Sequence, residues 1–180
     1  MIQYVAFLRG INVGGKSIIK MSDLKDALMS SNLQNVSTYI QSGNVLFQSD
    51  SDNKHELAQE LSSIIEKQFK LQVPVTLFSK KEWTNIIAAA PKWWGIDTAR
   101  KHNIFIMIDP YDMQQVVAAI GVLKPGVEAM ELGDGVLYQS MDRALLGRTT
   151  TGKLAGSPVY KSMTIRNYNT AIKMLTLMNS

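Results

Sequence analysis

The sequence contains no cysteine. Disulfides, thiolate metal sites, cysteine nucleophiles and iron–sulfur clusters are therefore excluded. Histidine is nearly absent as well, with only His55 and His102, so a histidine-based zinc site is not expected. No apolar run approaches the roughly 18 residues a membrane span needs, and no signal peptide is visible. The expectation is a soluble, cytoplasmic protein with no membrane partner. Catalytic signatures are equally sparse. There is no G-x-S-x-G elbow and no H-E-x-x-H pair. Glu128, Glu131 and Asp134 lie close in sequence, but they alternate with apolar residues and read as the solvated face of a strand. The chain leans away from an enzyme, and neither a metal nor a resident cofactor is expected.

What is present is a globular composition. Of 180 residues, 46% are apolar and 19% charged, and a chain of this length buries about 70% of its extended surface on folding. Net charge is +4, but it is unevenly placed. Acidic residues stop at Asp142, whereas Arg143, Arg148, Lys153, Lys161, Arg166 and Lys173 follow. A long stretch with cations only favours an anionic partner.

Hydrophobic periodicity divides the chain into two similar halves. Residues 2–9 read as a largely buried strand, followed by a loop carrying Gly10, Gly14 and Gly15. Ser22 is placed to cap a helix with Leu24, Ala27 and Leu28 on its inner face. Strands over 36–40 and 45–47 flank a tight turn at Gln41-Ser42-Gly43-Asn44. Asn53 and Glu56 suggest a capping box before a helix reaching Phe69, and 73–78 is a strand whose Pro74 points to a sheet edge. That order is the split βαβ, ferredoxin-like unit. Ser79 and Glu82 cap a short helix ended by Pro91, and Trp93-Trp94-Gly95 begin the connection to the second half, where a tryptophan is expected to pack in a seam between the halves. There the spacing predicts a strand over 104–108, a helix capped by Asp109-Pro110 with Met113, Val116, Val117 and Ile120 inside, and a hairpin turning at Gly133-Asp134-Gly135. A polar loop is predicted over 142–157, and Thr164 is placed to cap a final helix. The fold class is α+β, with ferredoxin-like halves over 1–80 and 81–180.

Three segments resemble a known family: Leu8-Arg9-Gly10-Ile11-Asn12-Val13-Gly14-Gly15-Lys16, Tyr39-Ile40-Gln41-Ser42-Gly43-Asn44-Val45 and Thr164-Ile165-Arg166-Asn167. Trp93-Trp94 followed by Asp97, Ala99, Arg100 and Lys101 adds to the likeness. These resemble the bacterial proteins grouped as domain of unknown function 1697. The resemblance implies two ferredoxin-like subdomains and no established activity. Family members often carry asparagine after the loop lysine, where this chain has Ser17.

Gly10 to Ser17 also fits the phosphate-loop pattern G-x-x-x-x-G-K-[ST], and Asp109 after an apolar strand mimics a magnesium-binding aspartate. A phosphoryl-transfer enzyme built on that loop is one alternative. Against it stand the later helix start at Ser22, the capping role expected of Asp109, and the hairpin at 41–44, since a phosphate-loop core needs parallel strands. The favoured reading is a binder of an anionic ligand, a nucleotide or nucleic acid. In a split βαβ unit the end of the first strand and the turn between the second and third strands share one sheet edge. Arg9, Gly10, Asn12, Gly14, Gly15 and Lys16 then meet Gln41, Ser42 and Asn44 on a rim suited to a phosphate or carboxylate. The same residues would alternatively form a hydrogen-bonded clasp between two loops. Arg166 and Asn167, read as the start of the last helix, would add charge to an anion site, or Arg166 would pair with an acidic residue of the first half. A self-associating module, a homodimer through exposed strand edges, is the remaining alternative.

Overall fold

The computed structural model describes residues 1–180. Two compact units are present, Met1–Asn85 together with Met174–Ser180, and Ile86–Lys173.

In the first unit β1 (Ile2–Leu8), α1 (Met21–Met29), β2 (Gln34–Tyr39), β3 (Asn44–Ser49), α2 (Lys54–Phe69) and β4 (Val75–Ser79) form an antiparallel sheet in the order β2-β3-β1-β4. This is the ferredoxin-like arrangement. β1 is central, so its apolar run Tyr4-Val5-Ala6-Phe7-Leu8 is buried throughout. Alternate residues serve opposite faces. Tyr4, Ala6 and Leu8 pack with Leu24 and Leu28 of α1 and Leu57, Leu61 and Ile65 of α2. On the other face Phe7 and Phe78 meet the ring of Trp83, at centroid distances of 4.8 and 5.5 Å. Trp83 belongs to α3 (Lys80–Ala88), which is opened by a complete capping box. Ser79 Oγ accepts from the Glu82 amide, and the Glu82 carboxylate accepts from the Ser79 amide at 2.8 Å.

The second unit repeats the plan. β5 (Arg100–Met107), α4 (Met113–Ile120), β6 (Glu128–Gly133), β7 (Val136–Asp142), α5 (Thr151–Ala155) and β8 (Met163–Asn167) give an antiparallel sheet ordered β6-β7-β5-β8. Phe105, Met107, Val116, Ile120, Leu137, Leu154 and Met163 form its helix-side core. Trp94 is buried edge-on against Tyr138 and Tyr168 and donates its indole N–H to the Asn103 carbonyl at 2.9 Å. The last helix, α6 (Tyr168–Met178), follows β8 directly.

Several sequence expectations are corrected. Ser22 does not cap α1. Lys20 is the N-cap residue, because the Leu24 amide already bonds its carbonyl, and the Ser22 hydroxyl turns to Asp23. Asp109 does not cap α4 either. The chain is still paired through Ile108, whose amide bonds the Ser162 carbonyl, so the helix begins later and Asp112 caps it, accepting from the Gln114 and Gln115 amides at 2.8 and 3.3 Å. Val117 faces solvent, and Ala119 packs inward in its place. The 142–157 stretch is no open loop. It contains a 3-10 turn over Arg143–Arg148 and the short α5, with Leu154 fully buried.

Thr164 caps nothing, since residues 163–167 are β8. They pair with β5 through Ile104↔Arg166 and Ile106↔Thr164, covering an edge that β5 would otherwise expose. Asn167 takes the capping role, its Oδ1 accepting from the Thr170 amide at 2.8 Å.

Removing the cap with Asp112→Ala is expected to lower stability by about 1 kcal/mol, while Asp109→Ala leaves it nearly unchanged. Urea unfolding of the two variants checks the reassignment. A second expectation concerns Gly43, at φ +73°, where an added Cβ would lie 2.7 Å from Leu8 Cβ and 2.9 Å from Ile11 Cδ1. Gly43→Ala should cost about 2 kcal/mol or more, whereas Gly14→Ala, with open space around it, should cost only about 1 kcal/mol for its backbone conformation. Thermal unfolding of both variants separates crowding from backbone strain.

Candidate functional site

The split βαβ topology brings the loop after β1 beside the β2–β3 turn. Phe7 is paired with Asn44, and the Leu8 amide donates to the Gly43 carbonyl at 2.8 Å. Beyond that point Asn12 organises the loop. Its backbone takes φ +54°, a conformation asparagine tolerates better than most residues. Its Nδ2 donates to the carbonyls of Ile19 and Gln41, both at 2.9 Å, and its Oδ1 accepts from the Ile19 amide at 2.8 Å. Its own amide bonds the Ser17 carbonyl at 3.1 Å. The Asn12 amide group is thus spent on tying both ends of the loop to each other and to the turn. Gln41 contributes its carbonyl to this tie and carries an exposed side chain.

Asn44 is fully buried and donates to the Tyr39 carbonyl and Ser42 Oγ, both at 3.0 Å, closing the turn from inside. The turn also holds Ile40 at φ +48° with nearly half its surface exposed. A β-branched residue in the left-handed region costs about 1–2 kcal/mol.

The loop tip is a tight reverse turn. The Lys16 amide donates to the Val13 carbonyl at 3.0 Å, and Gly14 and Gly15 between them take φ +58° and +73°. Only glycine adopts two successive values of this kind without strain. The Gly14 and Gly15 amides have no acceptor in the chain, and a Cβ added at either residue would meet nothing within 4 Å. Lys16 is exposed, with no carboxylate on its ammonium. Val13 and Ile18 beside it are 65% and 73% exposed. Gly10, at φ +74°, opens the loop, and Arg9 at its base is half-buried, its amide bonded to the Pro74 carbonyl at 3.0 Å.

This geometry is not that of a phosphate-binding loop. Such a loop places its lysine at the start of a helix. Here Ser17 follows at φ +49° and α1 begins only at Met21. The flanking strands are antiparallel, and Asp109 lies in the β5–α4 connection of the other unit.

Arg166 and Asn167 belong to the second unit. Arg166 is a buried strand residue whose guanidinium donates to Thr164 Oγ1 and the Ile165 carbonyl, both at 2.8 Å. Burial pulls its pKa down to about 10, which leaves it charged at neutral pH. Asn167 serves as a helix cap. The structure therefore gathers Arg9, Gly10, Asn12, Gly14, Gly15, Lys16, Gln41, Ser42 and Asn44 at one sheet edge, and gives Arg166 and Asn167 separate structural duties. Sequence reasoning did not assign the exposed apolar residues Val13, Ile18 and Ile40 to this site, having read Ile40 as part of the strand over 36–40.

No helix is long and apolar enough to cross a membrane. No curated protein matches the chain. Among solved structures, a conserved bacterial protein from Streptococcus pneumoniae shares 30% sequence identity, with 98% of each chain covered and a TM-score of 0.86. The family model described as protein of unknown function, DUF1697, matches residues 1–138, and on that match the chain belongs to the DUF1697 family.

Proposed function

We propose that the Gly14–Lys16 tip binds an anionic ligand, a phosphate-bearing molecule of the nucleotide class. The observation that carries this reading is the pairing of two unbonded glycine amides with an exposed lysine on a loop whose base is held rigidly. Asn12, Gln41, Ser42 and Asn44 hold the loop, and Gly14, Gly15 and Lys16 make the contact. Arg9 at the loop base adds positive potential. Preorganised N–H groups cost little entropy on binding, which favours an anion over water.

Magnitudes narrow the ligand. A charge-assisted hydrogen bond contributes about 1.5–3 kcal/mol and an exposed ion pair about 0–1 kcal/mol. Two such bonds and one ion pair give about 3–7 kcal/mol, from which association removes about 4 kcal/mol or more in lost freedom, leaving at best about a millimolar dissociation constant. A bare phosphate would bind weakly, and a tighter ligand must also cover apolar surface. Val13 and Ile18, which flank the tip in the chain, and Ile40, in the turn to which the loop base is tied, expose such surface, and a nucleoside presents a matching flat, partly apolar body. A second reading, self-association, draws on the same three side chains, because exposed apolar clusters on soluble proteins mark contact surfaces.

The test is an amide-resolved NMR titration with ATP and with pyrophosphate. Shifts confined to Gly14, Gly15, Lys16 and their neighbours are expected. Lys16→Ala should weaken binding by about 2- to 5-fold without moving the melting temperature. No shift at the tip, or a lysine variant that loses stability and shows no binding change, would overturn the ligand reading. A concentration-dependent dimer that Ile18→Glu dissociates would instead establish self-association.

A further inference from the structure

The second unit concentrates cations at one end of its sheet. β5 starts and β7 finishes there, with Arg100 opposite Asp142 and Lys101 opposite Met141. β6 starts at the same end, Glu128 standing opposite Met141. The 3-10 turn that follows β7 carries Arg143 and Arg148, and Arg143 is fastened to the strand entrance by bonds from its amide to Ala99 O and from its Nε to Thr98 O, both 3.2 Å. Lys124 joins the group because its ammonium donates to the Arg148 carbonyl. Lys153 lies within one turn of Thr150, whose amide bonds the Glu128 carboxylate. Four separate segments thus bring six cations together. Lys101, Lys124, Arg143, Arg148 and Lys153 are exposed, and Arg100 is half-buried with its guanidinium on the carbonyls of Gly126, Val127 and Ser140.

The carboxylates at this end do not pair with these cations. Asp97 accepts from the Ala99 amide at 2.9 Å, Asp142 from the Ala144 amide at 2.8 Å, and buried Glu128 from the Thr150 amide with both oxygens. None of the six cations has a carboxylate at contact distance, and all but Arg100 are exposed. Uncompensated like charges repel one another, so the cluster opposes its own folded state unless a polyanion neutralises it.

We propose that this end of the second unit binds the phosphate backbone of a nucleic acid, independently of the sequence of its bases. Spacing favours a polymer over a single anion. With strands about 4.8 Å apart, the starts of β5 and β6, two strands removed, are about 10 Å from each other, beyond the reach of one phosphate and within that of successive phosphates along a strand. Gly147 and Gly152 have open space where a Cβ would stand, leaving room for close approach of a backbone. The aromatic residues of the unit's core do not supply base stacking, because Trp94, Tyr138 and Tyr168 pack on one another. A lipid surface fits less well, since the exposed large apolar side chains of these segments are Val122, before Lys124, and Leu146, in the turn, two points on different segments and not the apolar stripe along one helix that a membrane-surface element inserts. These residues belong to the second unit and the glycine loop to the first, and the proposal does not depend on the reading given there.

Fluorescence anisotropy with labelled 20-nucleotide single strands of two unrelated sequences tests the proposal on the full chain. Both strands should bind with similar affinity, and log K should fall with log salt concentration at a slope of about −3, for four or five neutralised phosphates. The triple variant Arg143→Glu, Arg148→Glu, Lys153→Glu should lose at least about tenfold in affinity at low salt, with circular dichroism and melting temperature retained. Lys101→Glu, on a strand away from the turn, should weaken binding in the same direction even if the triple variant folds poorly. Lys25→Ala, an exposed lysine of α1 in the first unit, should change nothing in this assay. The proposal is overturned by no binding at 50 mM salt, by a slope near zero, by unchanged affinity in folded charge-reversal variants, or by binding to anionic vesicles and not to the oligonucleotides.

Discussion

The central strand β1 constrains everything at the glycine loop. It has hydrogen-bonded neighbours on both edges and apolar cover on both faces. A strand confined in this way leaves its sheet at one fixed point and direction. The Leu8 amide bond to the Gly43 carbonyl and the Arg9 amide bond to the Pro74 carbonyl mark that exit. From there the loop can only lie against the β2–β3 turn. Gly43 is the residue that permits so close an approach, because Leu8 Cβ and the Ile11 side chain already fill the space a Cβ there would need.

Asn12 then shows how one side chain can set the division of labour within a loop. Its amide satisfies three backbone groups that would otherwise need water in a crowded corner. Because it is spent in this way, it has little left for a ligand. The tip it supports keeps its donors unbonded. Anchoring is therefore carried by Asn12 at the loop base, and the glycines and Lys16 of the tip take no part in it.

The two groups of cations in the second unit differ in the same sense. Arg166 is enclosed in β8, hydrogen-bonded to its own strand and lowered in pKa by burial. Its guanidinium completes the hydrogen bonding of a buried strand, as arginine's fixed fork of donors allows. Arg143, Arg148 and Lys153 are close to it in sequence but sit on the 3-10 turn and α5 that follow β7, exposed and without a carboxylate partner. Sequence proximity alone would merge them into one basic tail. The strand pairing separates a structural cation from those available to a partner.

The alternation of apolar residues was enough to read seven of the eight strands, the two ferredoxin-like halves, and the adjacency of the glycine loop to the 41–44 turn. Those features depend on local periodicity, on turn residues such as Gly43 and Gly133-Asp134-Gly135, and on topological rules that admit few alternatives. The eighth strand was not legible. Thr164-Ile165-Arg166-Asn167 is short and resembles a helix start, and only the unpaired edge of β5 makes it a strand. The cap at Asp112 was missed for a related reason, since the length of β5 and its continuation through Ile108 decide where the next helix can begin. The roles of Asn12 and Arg166 lay equally out of reach. An asparagine or an arginine is the same letter whether its donors are spent inside the protein or offered to a ligand, and only the three-dimensional position of its acceptors decides between the two.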